Sequence, residues 1–300
     1  MANAASPLVI DAHTHAFPPD WVADRARHCG RDRWFAELYE APSAKMIDAR
    51  GLIQAMDSAG VAQAVVCGWP WADPGLCREH NDYLAEAANA SAGRLAWLAT
   101  VAPAAPGAAA ECVRALDLGA SGIGELNADA QGFDVADPAA FADLAATLVA
   151  AGRPLMLHAS EPVGHRYPGK GTATPDRLLE LLAAHQNLAV VLAHWGGGLP
   201  FYELMPEVAA LTTNLVYDTA ASSYLYRPQV FRVVLDIVGP QRVLWASDHP
   251  VLDMGRFLAR TRRRAELRPE EWNLVLAENA RRVYRLNDTN VNGNSMRTAT

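Results

Sequence analysis

Two histidines, His13 and His15, stand at the end of the short apolar stretch Leu8-Val9-Ile10-Asp11-Ala12. A strand sends alternate side chains to opposite faces, so both imidazoles project together while Thr14 points away. Residues two apart on a strand lie about 7 Å apart along the backbone, and both rings can converge on one ion at about 2.0–2.1 Å. Later apolar stretches end in the same kind of residue. Glu125 lies in Gly-Ile-Gly-Glu-Leu-Asn, His158 in Leu-Met-Leu-His-Ala-Ser, His194 in Leu-Ala-His-Trp-Gly-Gly-Gly, and Asp248 in Trp-Ala-Ser-Asp-His-Pro. Any one of these alone reads as a hydrogen-bonded polar residue leaving a strand. Together they form a set of imidazoles and carboxylates suited to a divalent metal. Such an ion lowers the pKa of bound water from about 15.7 to about 7, which makes metal-activated water the first chemistry to consider.

The set works only if one scaffold gathers those strand ends. Apolar runs recur at Leu8–Ala12, Ala62–Cys67, Leu95–Val101, Gly122–Leu126, Pro154–Leu157, Leu188–Ala193, Asn214–Tyr217 and Val243–Ala246. Between them lie segments of helical spacing: Ala49–Ala59, Asn81–Ala92, Ala108–Leu118, Pro138–Ala151, Pro175–His185, Leu199–Leu211, Pro228–Val238 and Met254–Ala265. Eight strand–helix alternations predict an α/β fold with a parallel sheet, and eight closes a (β/α)8 TIM barrel. The competing doubly wound sheet lacks a glycine-rich fingerprint after the first strand. In a barrel the C-terminal strand ends share one mouth, where active sites sit.

One domain over residues 1–286 is expected. Residues 16–48, with Trp21, Trp34, Phe35 and Tyr39, exceed what a strand–helix turn needs and read as a small cap over the mouth. Pro269–Ala277 and Glu278–Leu286 read as closing helices, and 287–300 as a flexible tail. The net charge of −7 is mild and no basic patch marks a nucleic-acid site. Four scattered cysteines form no disulfide framework, and no apolar run reaches membrane-spanning length. A cytoplasmic protein acting on a small molecule, with no nucleic-acid or membrane partner, is the expectation.

The ordered set His13-Thr14-His15, His158, His194 and Asp248, with the ending Ala277-Glu278-Asn279-Ala280-Arg281-Arg282-Val283-Tyr284-Arg285-Leu286, resembles the amidohydrolase superfamily and, within it, the amidohydrolase-related group. The resemblance spans about residues 8–286 and implies a metal-dependent TIM-barrel enzyme, with a homodimer by family analogy. One binuclear subtype bridges its metals with a carboxylated lysine on the fourth strand. Neither lysine here, Lys45 or Lys170, stands at a strand end, so that subtype is excluded. Glu125 stands there instead. That resembles the hydrolytic and TatD-like branches, in which the glutamate binds or bridges metal; the decarboxylase branch commonly lacks it.

The resemblance implies that His13, His15, His158 and Asp248, with Glu125 close by, hold one or two divalent ions. Zn2+ is the first expectation and Mn2+ the alternative. Asp248 would accept the proton of the bound water and pass it to the leaving group. His194 would polarise the scissile carbonyl or bind a second ion beside Glu125 and His158. Asp11 is read as a poor partner for a ligand imidazole, and His249 as orienting the Asp248 loop. His28, His80 and His185 receive no catalytic role. Loop residues expected to face substrate are Trp69, His165, Arg166, Tyr167, Lys170, Trp195, Tyr224 and Arg227, with the cations as a clamp for an anionic group.

The leading expectation is therefore a metal-dependent hydrolase of a small anionic ester, lactone or amide. The rival is a nonoxidative decarboxylase or hydratase on the same metal site. A nuclease is disfavoured by the acidic charge, and an inactive barrel by the intact ligand set. Replacing both His13 and His15 by alanine is expected to strip the metal from the purified protein. Elemental analysis finding unchanged occupancy would remove both residues from the ligand set.

Overall fold

The computed structural model describes residues 8–287; the expected tail, apart from Asn287, lies outside the described residues. Eight parallel strands appear in the expected order: β1 (Ile10–Thr14), β2 (Gln63–Cys67), β3 (Leu95–Leu98), β4 (Ile123–Leu126), β5 (Leu155–Leu157), β6 (Val190–Leu192), β7 (Leu215–Asp218) and β8 (Val243–Leu244). They form a three-stranded sheet β1-β2-β3 and a five-stranded sheet β4-β5-β6-β7-β8. Isolated parallel bridges join the sheets, Ala99 to Ile123 at one seam and Thr14 to His249 at the other. Backbone bonds from Ala12 N to Trp245 O and from His15 N to His249 O reinforce the second seam. The fold is a TIM barrel whose two seams are held by short bridges instead of full ladders.

The barrel interior is filled by Ile10, Ala12, Val65, Leu98, Met156, Val191 and Leu244, joined by Ala277, Ala280 and Tyr284 of the closing helices. A larger apolar layer lies between strands and outer helices, with Val66, Trp97, Ile123, Leu157, Leu192 and Trp245 among its residues. Local rules place the helix starts. Asp48, Asp73 and Asp253 each accept a backbone N–H three residues on, from Gly51, Leu76 and Arg256. The Asp73 cap, followed by Pro74, starts its helix at Pro74–Ala90, seven residues earlier than the apolar spacing indicated.

The expected Leu199–Leu211 helix is two pieces, Leu199–Tyr202 and Pro206–Leu211. Proline cannot continue a helix and drives the residue before it to extended backbone, as at Met205. The cap segment forms three short helices, Pro19–Ala23, Arg25–Cys29 and Arg33–Tyr39. Their apolar faces pack Trp21, Phe35 and Tyr39, with the preceding Phe17, onto Trp69 and Trp71, which follow β2. Among the described residues no helix is long and apolar enough to cross a membrane.

Tyr284 is fully buried in the barrel interior, and its hydroxyl has no hydrogen-bond partner among the described residues. Tyr284→Ala should cost about 3–5 kcal/mol through lost burial and the cavity it leaves. Tyr284→Phe, which removes only the unpaired hydroxyl, should change stability by less than about 1 kcal/mol. Denaturant melts of both variants check this; equal losses would show that the ring is not what fills the barrel.

Candidate metal centre

Strict alternation along β1, counted from the inward Ile10 and Ala12, would send His13 outward. The ladder pairs Asp11 with Ala64 and Thr14 with Val66, so β1 carries one extra residue across this interval. The bulge re-phases the strand, turns His13 and His15 into the mouth, and leaves Thr14 Oγ1 to donate to Val65 O at 2.9 Å. A second bulge lies between Ile123 and Leu126 of β4 and turns Glu125 inward. Gly124 permits it: its φ is +134°, and a Cβ there would overlap the Met156 carbonyl oxygen.

His194 opens a left-handed turn through Trp195, Gly196 and Gly197, all with φ between 57° and 62°. The turn presses Gly197 onto the backbone of Ser160, leaving no room for a side chain. Asp248, with φ of 65°, reaches the mouth from the end of β8. Non-glycine residues pay a conformational cost at such angles, which the surrounding packing must hold.

These devices bring six side chains together. His13 Nε2 lies 3.1 Å from His15 Nε2 and 3.3 Å from Glu125 Oε2. Asp248 Oδ1 is 3.4 Å from His15 Nε2 and 3.9 Å from His13 Nε2. Glu125 Oε1 faces the other pair, 2.9 Å from His158 Nδ1 and 3.1 Å from His194 Nε2; those two nitrogens are 3.1 Å apart. The donors thus fall into two groups, His13–His15–Asp248 and Glu125–His158–His194, with Glu125 spanning both. His158 stands with Glu125 and His194, the grouping expected for a second ion, and not beside His13, His15 and Asp248.

A divalent cation fits this arrangement. Two ligands of one ion can be at most about 4.2 Å apart, twice a bond of about 2.1 Å, and every separation above is shorter. Tautomers agree as well. His13 Nδ1 donates to Asp218 Oδ2 at 2.8 Å and His194 Nδ1 to Ala220 O at 3.2 Å, which leaves both Nε2 lone pairs facing inward. Lone pairs aimed at one another in a buried space repel unless a positive charge lies among them. The field has that sign. Burial disfavours charge on His13 and His194, yet the neighbouring anionic groups prevail. His13 is raised well above its usual range, and His194, through Glu125, to about 9. Burial likewise opposes ionisation of Glu125 and Asp248, but the histidines hold both below the usual carboxylate range. His13, His15, Glu125 and Asp248 would hold one ion, and Glu125, His158 and His194 offer places for a second.

Asp218 was absent from the residues singled out in the sequence. Fully buried at the end of β7, it accepts His13 Nδ1–H through Oδ2, and the N–H groups of His194 and Ala220 through Oδ1, both at 2.9 Å. It orients one ligand ring and anchors the backbone of another. Its position at the polar end of β7 is the signal that the sequence offers for it. Among the described residues Asp11 makes no hydrogen bond to an imidazole ring. It accepts from Ser247 N at 2.9 Å and Ser247 Oγ at 2.5 Å, tying β8 to β1. Burial raises its carboxyl to about 7, against those hydrogen bonds. His80, given no role from sequence, orders the cap. Its Nδ1 accepts from Trp69 N and Trp71 Nε1, while Nε2 donates to Ala16 O.

A cavity of about 320 Å3 opens above the centre, with His158, His194 and Asp248 on its floor and Leu38, Ala221, Leu225 and Val251 among its walls. Of the loop residues expected to face substrate, His165, Tyr167 and Tyr224 line it. The expected cationic clamp does not. Arg166 and Lys170 line an outer groove with Glu37 and Thr172, because the loop after β5 folds on itself: Lys170 Nζ donates to Val163 O and His165 O. Arg227 is exposed in a cleft beside Phe257 and Arg260. Trp195 is fully buried, its indole N–H on Ser222 Oγ and its ring edge-on to Phe231, so it packs the outer layer. Trp69 lies against His15, their ring centres 6.1 Å apart.

Residues 10–286 match the family described as amidohydrolase, and the chain belongs to that family. No curated protein matches the sequence. Among solved structures, the chain resembles 5-carboxyvanillate decarboxylase of Sphingomonas paucimobilis at 21% identity and a TM-score of 0.76, covering 94% of this chain and 100% of that one. It also resembles 5-carboxyvanillate decarboxylase of Novosphingobium aromaticivorans, solved with manganese and 4-hydroxy-3-methoxy-5-nitrobenzoic acid, at 20% identity and a TM-score of 0.75, covering 94% and 97%. A 2,6-dihydroxybenzoate decarboxylase from Rhizobium follows at 18% identity and a TM-score of 0.70, covering 94% and 99%. At these identities the likeness is one of fold.

Asp218→Asn should weaken metal binding about 10- to 100-fold, because the amide is a poorer acceptor for His13 Nδ1–H. Metal titration of the apo protein checks this, and affinity within twofold of the parent would disprove the role.

Proposed function

We propose that this member of the amidohydrolase family is a metal-dependent, nonoxidative decarboxylase of a small aromatic carboxylic acid. The observation that carries the reading is the cavity above the ligand set. Its walls are largely apolar and aromatic, it holds neither arginine nor lysine, and its volume of about 320 Å3 suits a single-ring acid. Apolar walls make a carboxylate costly to bury. Carbon dioxide is neutral, so losing it relieves that cost. The decarboxylases named above, which share the fold, support the same reading.

Glu125, which had favoured hydrolysis, does not weigh against it. Its two oxygens face His13 and His15 on one side and His158 and His194 on the other, which places it in the ligand set whichever reaction follows. A cation bound there would place positive charge against the anionic oxygens of the acid. Asp248 borders both the ligand set and the cavity, and serves as the proton carrier. The bond between ring carbon and carboxylate breaks, its electron pair takes a proton delivered by Asp248 from solvent, and CO2 leaves. Asp248→Asn keeps the shape and loses the carrier.

The test is a product assay with Zn2+- or Mn2+-loaded protein and a panel of hydroxybenzoates, beside a panel of esters, lactones and amides. The reading expects one CO2 per acid consumed, one solvent deuterium on the product ring in D2O, and turnover lowered at least about 1,000-fold in Asp248→Asn, roughly 4 kcal/mol of barrier. Ester, lactone or amide cleavage without CO2 would replace it with hydrolysis. Asp248→Asn activity within tenfold of the parent would remove Asp248 as the carrier.

A further inference from the structure

The cap and the loop after β2 place two hydrogen-bond donors beside the ligand set and give them no acceptor. Tyr39 ends the third cap helix and is 3% exposed; Trp69 follows β2 and is 4% exposed. Among the described residues neither the Tyr39 hydroxyl nor Trp69 Nε1 has a hydrogen-bond partner. Buried donors are ordinarily paired, and an unpaired one costs stability that the fold must recover elsewhere. The adjacent Trp71 follows the rule, its Nε1 donating to His80 Nδ1 at 3.2 Å.

These two unpaired donors sit together. The rings of Tyr39 and Trp69 meet edge to face at 5.0 Å, and Trp69 meets the ligand His15 in the same manner at 6.1 Å. Tyr39 lies near enough to Asp248 and Glu125 for both carboxylates to add to the rise in its phenol pKa that burial causes, so it stays a protonated donor.

We propose that Tyr39 and Trp69 are substrate-binding donors whose O–H and N–H hold an anionic oxygen of the substrate, carboxylate or phenolate, against the metal centre from the cap side. The proposal deepens the decarboxylase reading and rests on it for the ring-bearing acid. It gives the cap a second task beyond covering the mouth. Tyr39 and Trp69 lie outside the cavity lining and approach the ligand set through Trp69 against His15; neutral donors are strong partners for an anion when shielded from water. Two such donors also fix direction, which a single mobile cation does not.

The test uses the full chain loaded with Mn2+. Parent, Tyr39→Phe and Trp69→Phe are titrated calorimetrically with salicylate and with methylphosphonate, an oxyanion without a ring. Metal content and melting temperature are measured alongside. Tyr39→Phe should keep its metal and melt no lower than the parent, since only a partnerless hydroxyl is removed. Both variants should bind the probes roughly 10- to 100-fold more weakly. Dissociation constants within twofold of the parent in both variants overturn the donor pair, as does failure of the parent to bind either probe. A parent that binds methylphosphonate but not salicylate, with the phosphonate weakened in Tyr39→Phe, upholds the donors and overturns the aromatic-acid reading.

Discussion

Glu125 stands between four imidazoles, one oxygen toward His13 and His15 and the other toward His158 and His194. Asp248 closes the group from β8, and every member except His158 is buried. Gathering lone pairs and negative charge in so small and dry a volume is unfavourable by itself. A cation reverses the sign of that energy. The barrel must therefore supply the convergence, and a metal must supply the reason for it. The aspartate behind His13, the chosen tautomers and the raised histidine pKa values all follow from this constraint.

The convergence is achieved by breaking regularity at chosen points. Two bulges re-phase β1 and β4 just where His13, His15 and Glu125 leave their strands. His194 and Asp248 adopt left-handed backbone angles at the ends of β6 and β8. Each departure forfeits ladder hydrogen bonds or incurs conformational cost, and each turns a ligand that would otherwise face the helices or the solvent. Gly124 and Gly197 allow close contacts that side chains would block. The regular parts, the apolar interior and the outer layer, hold these strained positions in place.

The cap adds the environment. Its aromatic cluster packs over one side of the mouth and is held by His80, which burial keeps in its neutral form, its pKa lowered to about 4. The cavity that remains is apolar-walled, small and without fixed positive charge. On the proposed reading, an acid in such a space would be held by the metal and by neutral donors, and loss of its charge would be favoured.

Much of this protein was legible from its order of residues. Eight short apolar runs alternating with helical spacing specify a barrel, because period-two and period-3.6 patterns are local properties of the chain. That these histidines and carboxylates meet was legible too, since a barrel places every C-terminal strand end at one mouth. Asp218 obeyed the same rule, but its part depends on which ring it meets across the barrel, a distance of 205 residues along the chain. The bulges also lay beyond reading, because an extra residue in a ladder exists only relative to the paired strand. Arg166, Lys170 and Arg227 looked like an anion clamp by charge and loop position; the loop after β5 folds onto its own carbonyls and turns its cations from the cavity. Residue type and strand order, being local, determined which groups could bind metal. Tertiary structure alone decided which loops face the bound molecule, because that depends on how distant segments pack against one another.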